Sequence, residues 1–564
     1  MGELAEYIGS IRRFAGRRLW HAAALVVAAV MVEGFGILAI LPFAAVFTGD
    51  ADSGPARAAI SALDQIGLEA PVERAIALTG AFVAILAVRN LIIWRREIYL
   101  AQLGMDFVDH WRSRLFRAIG AAPWASVSSL RRTDLEHAIT NDVARLNSGT
   151  DQLLGSTVSA ALIVVQLAIL ASLAPMLMLV VLFLIALAAL IVLPLVRNAG
   201  LLGGNLTRAG RRIHGVLGDF LASQKLARLH DSQARFTGHF ETAITETRAQ
   251  QMAHRRSQSA ARAWFQLIGG TVIAATLLLG LLVFETQLAV LLLALVVMAR
   301  IVPPIISIMQ TSQYVANMLP AFNSVRVTEA ALIAEARQMP FPKEGLRNGP
   351  GPASLYLRSI CFRHPGQKSP LIDGFSFEVA CGEVVALEAP SGTGKTTLLD
   401  IAAGLYAPEK GEIAIDGCSV ADERDWQAWR SGLSYLPQDP FLFDASLREN
   451  LLWCAPGASE EAMWAALEGA EIADLVAAMP QGLDARAGER GTSLSGGERQ
   501  RICIARGLLR QPRFMILDEA TNALDRDLEA LILGRLCDMR DRFSLLLVTH
   551  RREALRFADR VVRL

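Results

Sequence analysis

Charge is scarce in this sequence. Asp, Glu, Lys and Arg make up 19% of its 564 residues, against 53% hydrophobic residues, and the formal net charge is +1. A balance this close to zero argues against a global field for nucleic acid or an acidic partner. The apolar excess is high for a soluble protein. Cysteine is scarce too. Cys361, Cys381, Cys418, Cys454, Cys503 and Cys537 all lie in the C-terminal part, none at CxxC spacing. That argues against a zinc site and a disulfide framework, and reads as small buried hydrophobes in a reducing cytosol. No low-complexity tract is present.

What the sequence does contain divides in two, in a chain too long for one ordinary domain. Long apolar runs fill the first half, up to about Ala336. A Pro/Gly-rich stretch, "MPFPKEGLRNGPGPAS" (Met339–Ser354), reads as a linker, and the remainder of the chain reads as a soluble α/β domain. The expected organisation is a membrane domain over 1–338, a linker over 339–354 and a second domain over 355–564.

Six runs approach the ~20 residues that cross a hydrocarbon core as a helix: Leu19–Phe47, Ala75–Trp94, Leu153–Ala174, Met176–Val196, Trp264–Phe284 and Leu288–Met309. The first comes after Arg12, Arg13, Arg17 and Arg18, as a signal peptide would. It exceeds a signal core and has no convincing cleavage site, so it reads as an anchor. Basic residues crowd the segments before the first run, after the second (Arg95, Arg96, Arg112, Arg114, Arg117) and after the fourth (Arg208, Arg211, Arg212, Lys225, Arg228). The first outer loop is acidic. The positive-inside rule therefore places both termini and the C-terminal domain in the cytoplasm. The two inner connections, about sixty residues each, are too long for loops. In "ITNDVARLNS", Ile139, Val143 and Leu146 fall at helical spacing, so the membrane helices are expected to continue into the cytoplasm.

Three charges fall inside the runs: Glu33, Arg89 and Arg300. Facing lipid at mid-depth, an ionised side chain costs at least ~2.5–3.5 kcal/mol. They are expected to face a cavity, a partner helix or an interface, and they are the candidate substrate residues. A buried Glu33 paired with a cation from another helix is the competing reading.

In the second half, "EAPSGTGKTTLLD" (Glu388–Asp400) nearly matches the phosphate loop G-x-x-x-x-G-K-[ST], with Ala389 in place of the first glycine. A short β-branched strand, "GEVVAL", runs into it and a helix, "TTLLDIAAGL", comes after it, which is the context such a loop requires. Backbone N–H groups of Ser391, Gly392, Thr393, Gly394, Lys395, Thr396 and Thr397 would cradle a β-phosphate at the helix N-terminus. Lys395 would reach the β/γ-phosphates and Thr396 would ligate Mg²⁺. Alanine at 389 is harmless at negative φ and costs roughly 1–2 kcal/mol at positive φ. Further on, "FMILDEA" is a buried strand ending in Asp518, placed for Mg²⁺, and Glu519, placed for the attacking water. "YLPQD" supplies Gln438. "LSGGERQR" opens a helix with Ser495, Gly496 and Gly497, suited to an anion. "LLLVTH" is an apolar strand ending in His550, which favours a phosphate contact.

Together these segments resemble the ATP-binding cassette proteins: "APSGTGKTT" and "FMILDE" their two phosphate motifs, "LSGGE" their signature. "NALD" (Asn522–Asp525) is similar to the loop that crosses the dimer seam, and "GERG" (Gly488–Gly491) to the segment touching the membrane domain in exporters. "CFRHPG" (Cys361–Gly366) looks like the adenine-stacking segment, with His364 where the family usually has tyrosine. The resemblance implies a type I exporter-like fold: six helical spans with long cytoplasmic arms, then an α/β P-loop ATPase. It implies ATP and Mg²⁺, with Thr396, Gln438 and Asp518 at the metal, and Glu519, His550 and Gln438 in catalysis. One chain would be a half-transporter whose Ser495 and Gly497 act on a partner's nucleotide. Every catalytic position is filled, which favours a homodimer, working by alternating access in a bacterial cytoplasmic (inner) membrane. Family cassettes usually run some tens of residues past "ADRVVRL". Fusion to the cassette argues against an importer, and an ATP-gated channel is the reading from another class. "EGFGILAILPF" and "ARIVPP" resemble lipid-linked oligosaccharide flippases, so the expected substrate is an amphipathic lipid or lipid-linked glycan. Without an N-terminal peptidase domain, a leader-cleaving peptide exporter is disfavoured; other peptide exporters and multidrug exporters are the alternatives.

Overall fold

The computed structural model describes residues 2–38, 71–173, 175–282, 288–337, 349, 351–390, 392–420 and 423–564. Most of the first outer loop and of the Met339–Ser354 stretch, and Ser391, lie outside them. So does the Glu33 side chain, although its backbone is helical. By internal contacts the chain forms two units. One is Met1–Ala122 with Ser129–Ile333; the other is Pro123–Ser128 with Ala334–Leu564.

The first unit is helical. Gly2–Ala15 and Arg18–Leu38 meet at a sharp bend at Gly16, whose φ of +49° suits glycine. Pro71–Ala121, Pro175–Leu229, Gln233–Leu282 and Leu288–Arg337 run 51, 55, 50 and 50 residues. At ~1.5 Å per residue each is about 75 Å or more long, more than twice the ~30 Å of a hydrocarbon core. The apolar runs therefore continue as helix well past any membrane. Residues of "ITNDVARLNS" form a π-turn, Ala138–Asp142, leading into Val143–Leu173. Val143 and Leu146 are fully buried, against Tyr7, Phe107 and Phe322. Edge-on rings tie this cluster together, with Tyr7–Phe322 centroids 4.9 Å and Trp111–Phe322 centroids 5.2 Å apart. Among the described residues, three helices are long and apolar enough to cross a membrane, or four if the bent N-terminal pair is one span.

The second unit carries two sheets. One is antiparallel and contains β1 (Leu355–Phe362), β2 (Ile372–Val379), β4 (Lys410–Ile415) and β5 (Cys418–Ser419), in the order β2-β1-β4-β5. The other is parallel and contains β3 (Val384–Glu388), β6 (Leu433–Leu436), β7 (Phe514–Asp518), β8 (Ser544–Val548) and β9 (Arg560–Arg563), in the order β6-β7-β8-β3-β9. Strands buried on both faces explain the unbroken apolar runs "FMILD" and "SLLLV". Alternation then sorts them: Phe514 and Ile516 join the cluster around Leu398 and Trp429, while Met515 and Leu517 join Leu467, Ile504 and Leu533 on the other side. One expectation fails. Cys503 and Cys537 are buried, but Cys381 and Cys418 are exposed: Cys381 lies in the turn with Gly382, and Cys418 opens the edge strand β5 just after the Gly417 turn, both outside either core cluster.

Candidate functional site

Parallel strands end together, so the loops after β3, β7 and β8 meet at one edge of the sheet. The loop after β3 turns through two glycines in the left-handed region, Gly392 (φ 85°) and Gly394 (φ 98°), and enters the helix Lys395–Ala402. Gly392 has nothing within 4 Å of where a Cβ would stand, so the space beside it is open. Ala389 is 2% exposed and has no positive φ, so alanine is accommodated without backbone strain.

Lys395 reaches back over this loop. Its Nζ donates to Glu519 Oε1 at 2.9 Å and also contacts His550 Nε2. His550 Nε2 stands 3.2 Å from the same carboxylate oxygen. The other oxygen of Glu519 accepts from Gln438 Nε2 at 3.1 Å and from Asn522 Nδ2 at 2.8 Å. Glu519 itself has φ 50°, an uncommon conformation for a side chain of its size. Its N–H donates to Val548 O at 3.0 Å, and four side chains fix its carboxylate, so the surroundings over-determine the strained residue.

Asp518, 4% exposed, accepts from the Tyr435 hydroxyl at 3.1 Å. Burial raises its pKa; neighbouring Glu519 adds to this, while the Tyr435 bond and Lys395 oppose it. Asp400, on the same helix as Lys395, is pushed up to about 6 by burial and by Asp518. A buried and a half-buried carboxylate that resist ionisation suit a divalent cation, which would relieve both desolvation and mutual repulsion. Thr396 is exposed beside the loop and Gln438 is exposed beside Glu519, so the residues present fit Mg²⁺.

Other expected residues sit further out. His364 Nε2 lies 3.2 Å from Thr397 Oγ1, and its ring meets Phe362 and Tyr406 edge-on at 5.0 and 5.8 Å. Thr393 Oγ1 donates to Pro390 O, closing the turn. Ser495 caps the helix Gly496–Leu509 in a reciprocal box with Glu498, leaving Gly496 and Gly497 in its first turn. Asp525 caps Arg526–Asp538 through the N–H of Leu528. Within this chain, then, Lys395, Gln438, Asp518, Glu519 and His550 converge. Arg89 is half-buried and Arg300 exposed in the helical unit. Sequence reasoning assigned no role to Tyr435, Asp400 or Asn522, each inside a quoted motif, nor to Gln500 of the signature helix.

Two family models match. That for "ABC transporter" covers residues 372–522, and that for "ABC transporter transmembrane region" covers 22–302. The chain belongs to the ABC transporter family. It joins a type I exporter-like helical membrane domain to an ABC ATPase domain, the architecture of a half-transporter. Among similar proteins, the mycobactin import ATP-binding/permease protein IrtB of Mycobacterium bovis is 33% identical over 361 residues, 63% of this chain and 57% of that one. The ATP-dependent lipid A-core flippase of Burkholderia orbicola is 38% identical over 208 residues, 37% of this chain and 35% of that one. The matches thus span about half or less of these relatives' length. A bacterial Atm1-family ABC exporter solved with ATP bound shares the fold, with a TM-score of 0.76 at 22% identity, over 98% of this chain and 93% of that one.

Proposed function

We propose that the chain is one half of an ATP-driven exporter or flippase, assembling as a homodimer in a bacterial cytoplasmic membrane. It crosses six times, with both termini and the ATPase domain inside. The observation that carries this is the convergence of Lys395, Gln438, Glu519 and His550 on one point beside an open phosphate loop. Glu519 is the general base, held by Gln438 and Asn522 toward the attacking water. Lys395 and His550 hold γ-phosphate charge, and His364 stacks on adenine. Thr396, Gln438 and Asp518 would hold Mg²⁺, which when bound neutralises phosphate charge. Ser495 and Gly497 of each chain act on the partner's nucleotide, and Asp525 lies at the seam. Closure of two cassettes over ATP drives the switch between inward- and outward-facing states.

The leading substrate is an amphipathic lipid or lipid-linked glycan, contacted by Glu33, Arg89 and Arg300. Similarity to the lipid A-core flippase supports it. Movement of a mycobactin-like molecule is the second reading, because the match to the mycobactin import ATP-binding/permease protein covers more of this chain. The test is reconstitution in liposomes with wild type and Glu519→Gln, together with mass spectrometry of co-purifying ligands. ATP-dependent movement of a fluorescent lipid to the opposite leaflet, lost in Glu519→Gln, supports the proposal. ATPase without movement of lipid or of the co-purified ligand refutes transport, and a co-purified mycobactin-like molecule overturns the lipid reading.

A further inference from the structure

We infer that Arg551 is a positioning residue: it clamps Asn522–Leu524 so that Asn522 holds Glu519 in register for hydrolysis. This rests on the proposed role of Glu519. Arg551 directly succeeds His550 beyond the end of β8. Its guanidinium donates from Nη2 to Asn522 O at 2.7 Å, and from Nη1 to Leu524 O at 3.0 Å and Glu529 Oε2 at 2.8 Å. Glu529 is 2% exposed, and its other oxygen accepts from Thr521 Oγ1 at 2.6 Å. Every acceptor of the fork therefore belongs to the segment after β7 or to the carboxylate that anchors it.

From the opposite side the segment is held by Gln500, 4% exposed on the helix capped by Ser495, whose Oε1 accepts the Ala523 N–H at 2.9 Å. The backbone of Asn522–Leu524 is thus fixed by its carbonyls to the His550 end and by an N–H to the signature helix. What this rigid segment presents to the centre is the Asn522 amide, 2.8 Å from Glu519 Oε2. A guanidinium serves three divergent acceptors because it is a planar fork; an ammonium keeps the charge beside Glu529 but not the geometry. Releasing the clamp lets Asn522 drift and turns the carboxylate, and a misplacement of ~1 Å costs about a hundredfold in rate.

The test compares Arg551→Lys, Asn522→Ala, the double variant and Glu519→Gln in the full-length protein, reading kcat, KM for ATP, fluorescent nucleotide binding and melting temperature. Arg551→Lys should fold, bind nucleotide and show KM within about twofold of wild type, with kcat down about ten- to a hundredfold. Asn522→Ala should reproduce the loss, and the double variant should be no worse than either single one, because both break the same link. Near-normal kcat in Arg551→Lys, or a loss that tracks melting temperature and nucleotide binding, overturns the inference. If Arg551→Lys does not fold, Arg551→Gln takes its place with the same two outcomes, and normal kcat in Asn522→Ala overturns the inference in either case. Wild-type hydrolysis by Glu519→Gln would instead refute the underlying reading of the site; an inactive Glu519→Gln beside a normal Arg551→Lys refutes only this one.

Discussion

Lys395 Nζ stands 2.9 Å from Glu519 Oε1, so the proposed phosphate-binding cation and the proposed base hold each other, both almost out of solvent. The contact fixes the carboxylate, but a γ-phosphate arriving between them would replace the carboxylate as the partner of Lys395.

Glu519→Gln keeps the shape of the side chain while removing the proposed base, although its amide N–H₂ then faces donors that now hold the carboxylate. It should bind ATP and trap a closed, nucleotide-bound dimer, with hydrolysis slowed about 10²–10⁴-fold. Lys395→Ala should abolish hydrolysis and weaken binding. Phosphate release together with size-exclusion chromatography in ATP checks both; near-normal turnover in Glu519→Gln would sink the assignment.

Ala389 tests whether the altered loop is impaired. It is buried and free of positive φ. Ala389→Gly should therefore change ATP affinity by less than about tenfold and lower stability slightly, by about 0.4–1 kcal/mol, through added chain freedom. A large affinity gain on restoring glycine would mean that alanine strains the loop. Calorimetric titration of ATP, with a melting curve, measures both quantities.

His364 is held by Thr397 and faced by the edges of Phe362 and Tyr406, which stiffens a ring that would otherwise swing in solvent. Aromatic stacking on a base contributes about 1–3 kcal/mol. In nucleotide titrations His364→Tyr should tighten ATP modestly and His364→Ala should loosen it. Equal affinity across all three would show that the ring does not touch the base.

Motif order made the ATPase half legible. Strand–loop–helix context, paired acids after a strand and Ser-Gly-Gly at a helix start each require particular local structure, so reading them amounts to reading fold. Less legible was what depends on tertiary approach. Nothing local in "NALD" says that Asn522 turns its amide to Glu519, or that Arg551 collects the carbonyls around it. Apolar runs told where helices lie, but not that Ala138–Asp142 inserts a π-turn. Cysteines misled because composition cannot tell a turn from a core.

Four of the six thiols divide sharply by environment. Burial raises the pKa of Cys503 and Cys537, keeping them as unreactive thiols, whereas Cys381 and Cys418 stand in solvent. Brief maleimide treatment of the folded protein near neutral pH should label Cys381 and Cys418 first and leave Cys503 and Cys537 unmodified until denaturant is added. Peptide mass spectrometry reads the order; early labelling of Cys503 would contradict its burial.

In the helical unit, Arg114 grips Glu329 with two parallel bonds, Nε to Oε1 at 2.7 Å and Nη2 to Oε2 at 3.0 Å, while its guanidinium lies 4.7 Å over the Trp111 ring. The pair joins the helices Pro71–Ala121 and Leu288–Arg337, which are far apart in sequence. Its two members are unequal: the Glu329 side chain is 5% exposed and that of Arg114 40%. Removing the cation strands a buried carboxylate; removing the carboxylate leaves an arginine that still has water and Trp111. Arg114→Met should therefore destabilise more than Glu329→Gln. The loss should be about 1.5–3 kcal/mol for the charged hydrogen bonds, short of the ~3–5 kcal/mol of a fully buried pair, because water partly solvates Arg114. The double variant Arg114→Met/Glu329→Gln should recover part of the melting temperature lost by Arg114→Met, since neither charge is then left alone. Melting in detergent ranks the three, and a greater loss in Glu329→Gln than in Arg114→Met would show that the carboxylate is better hydrated than its burial implies.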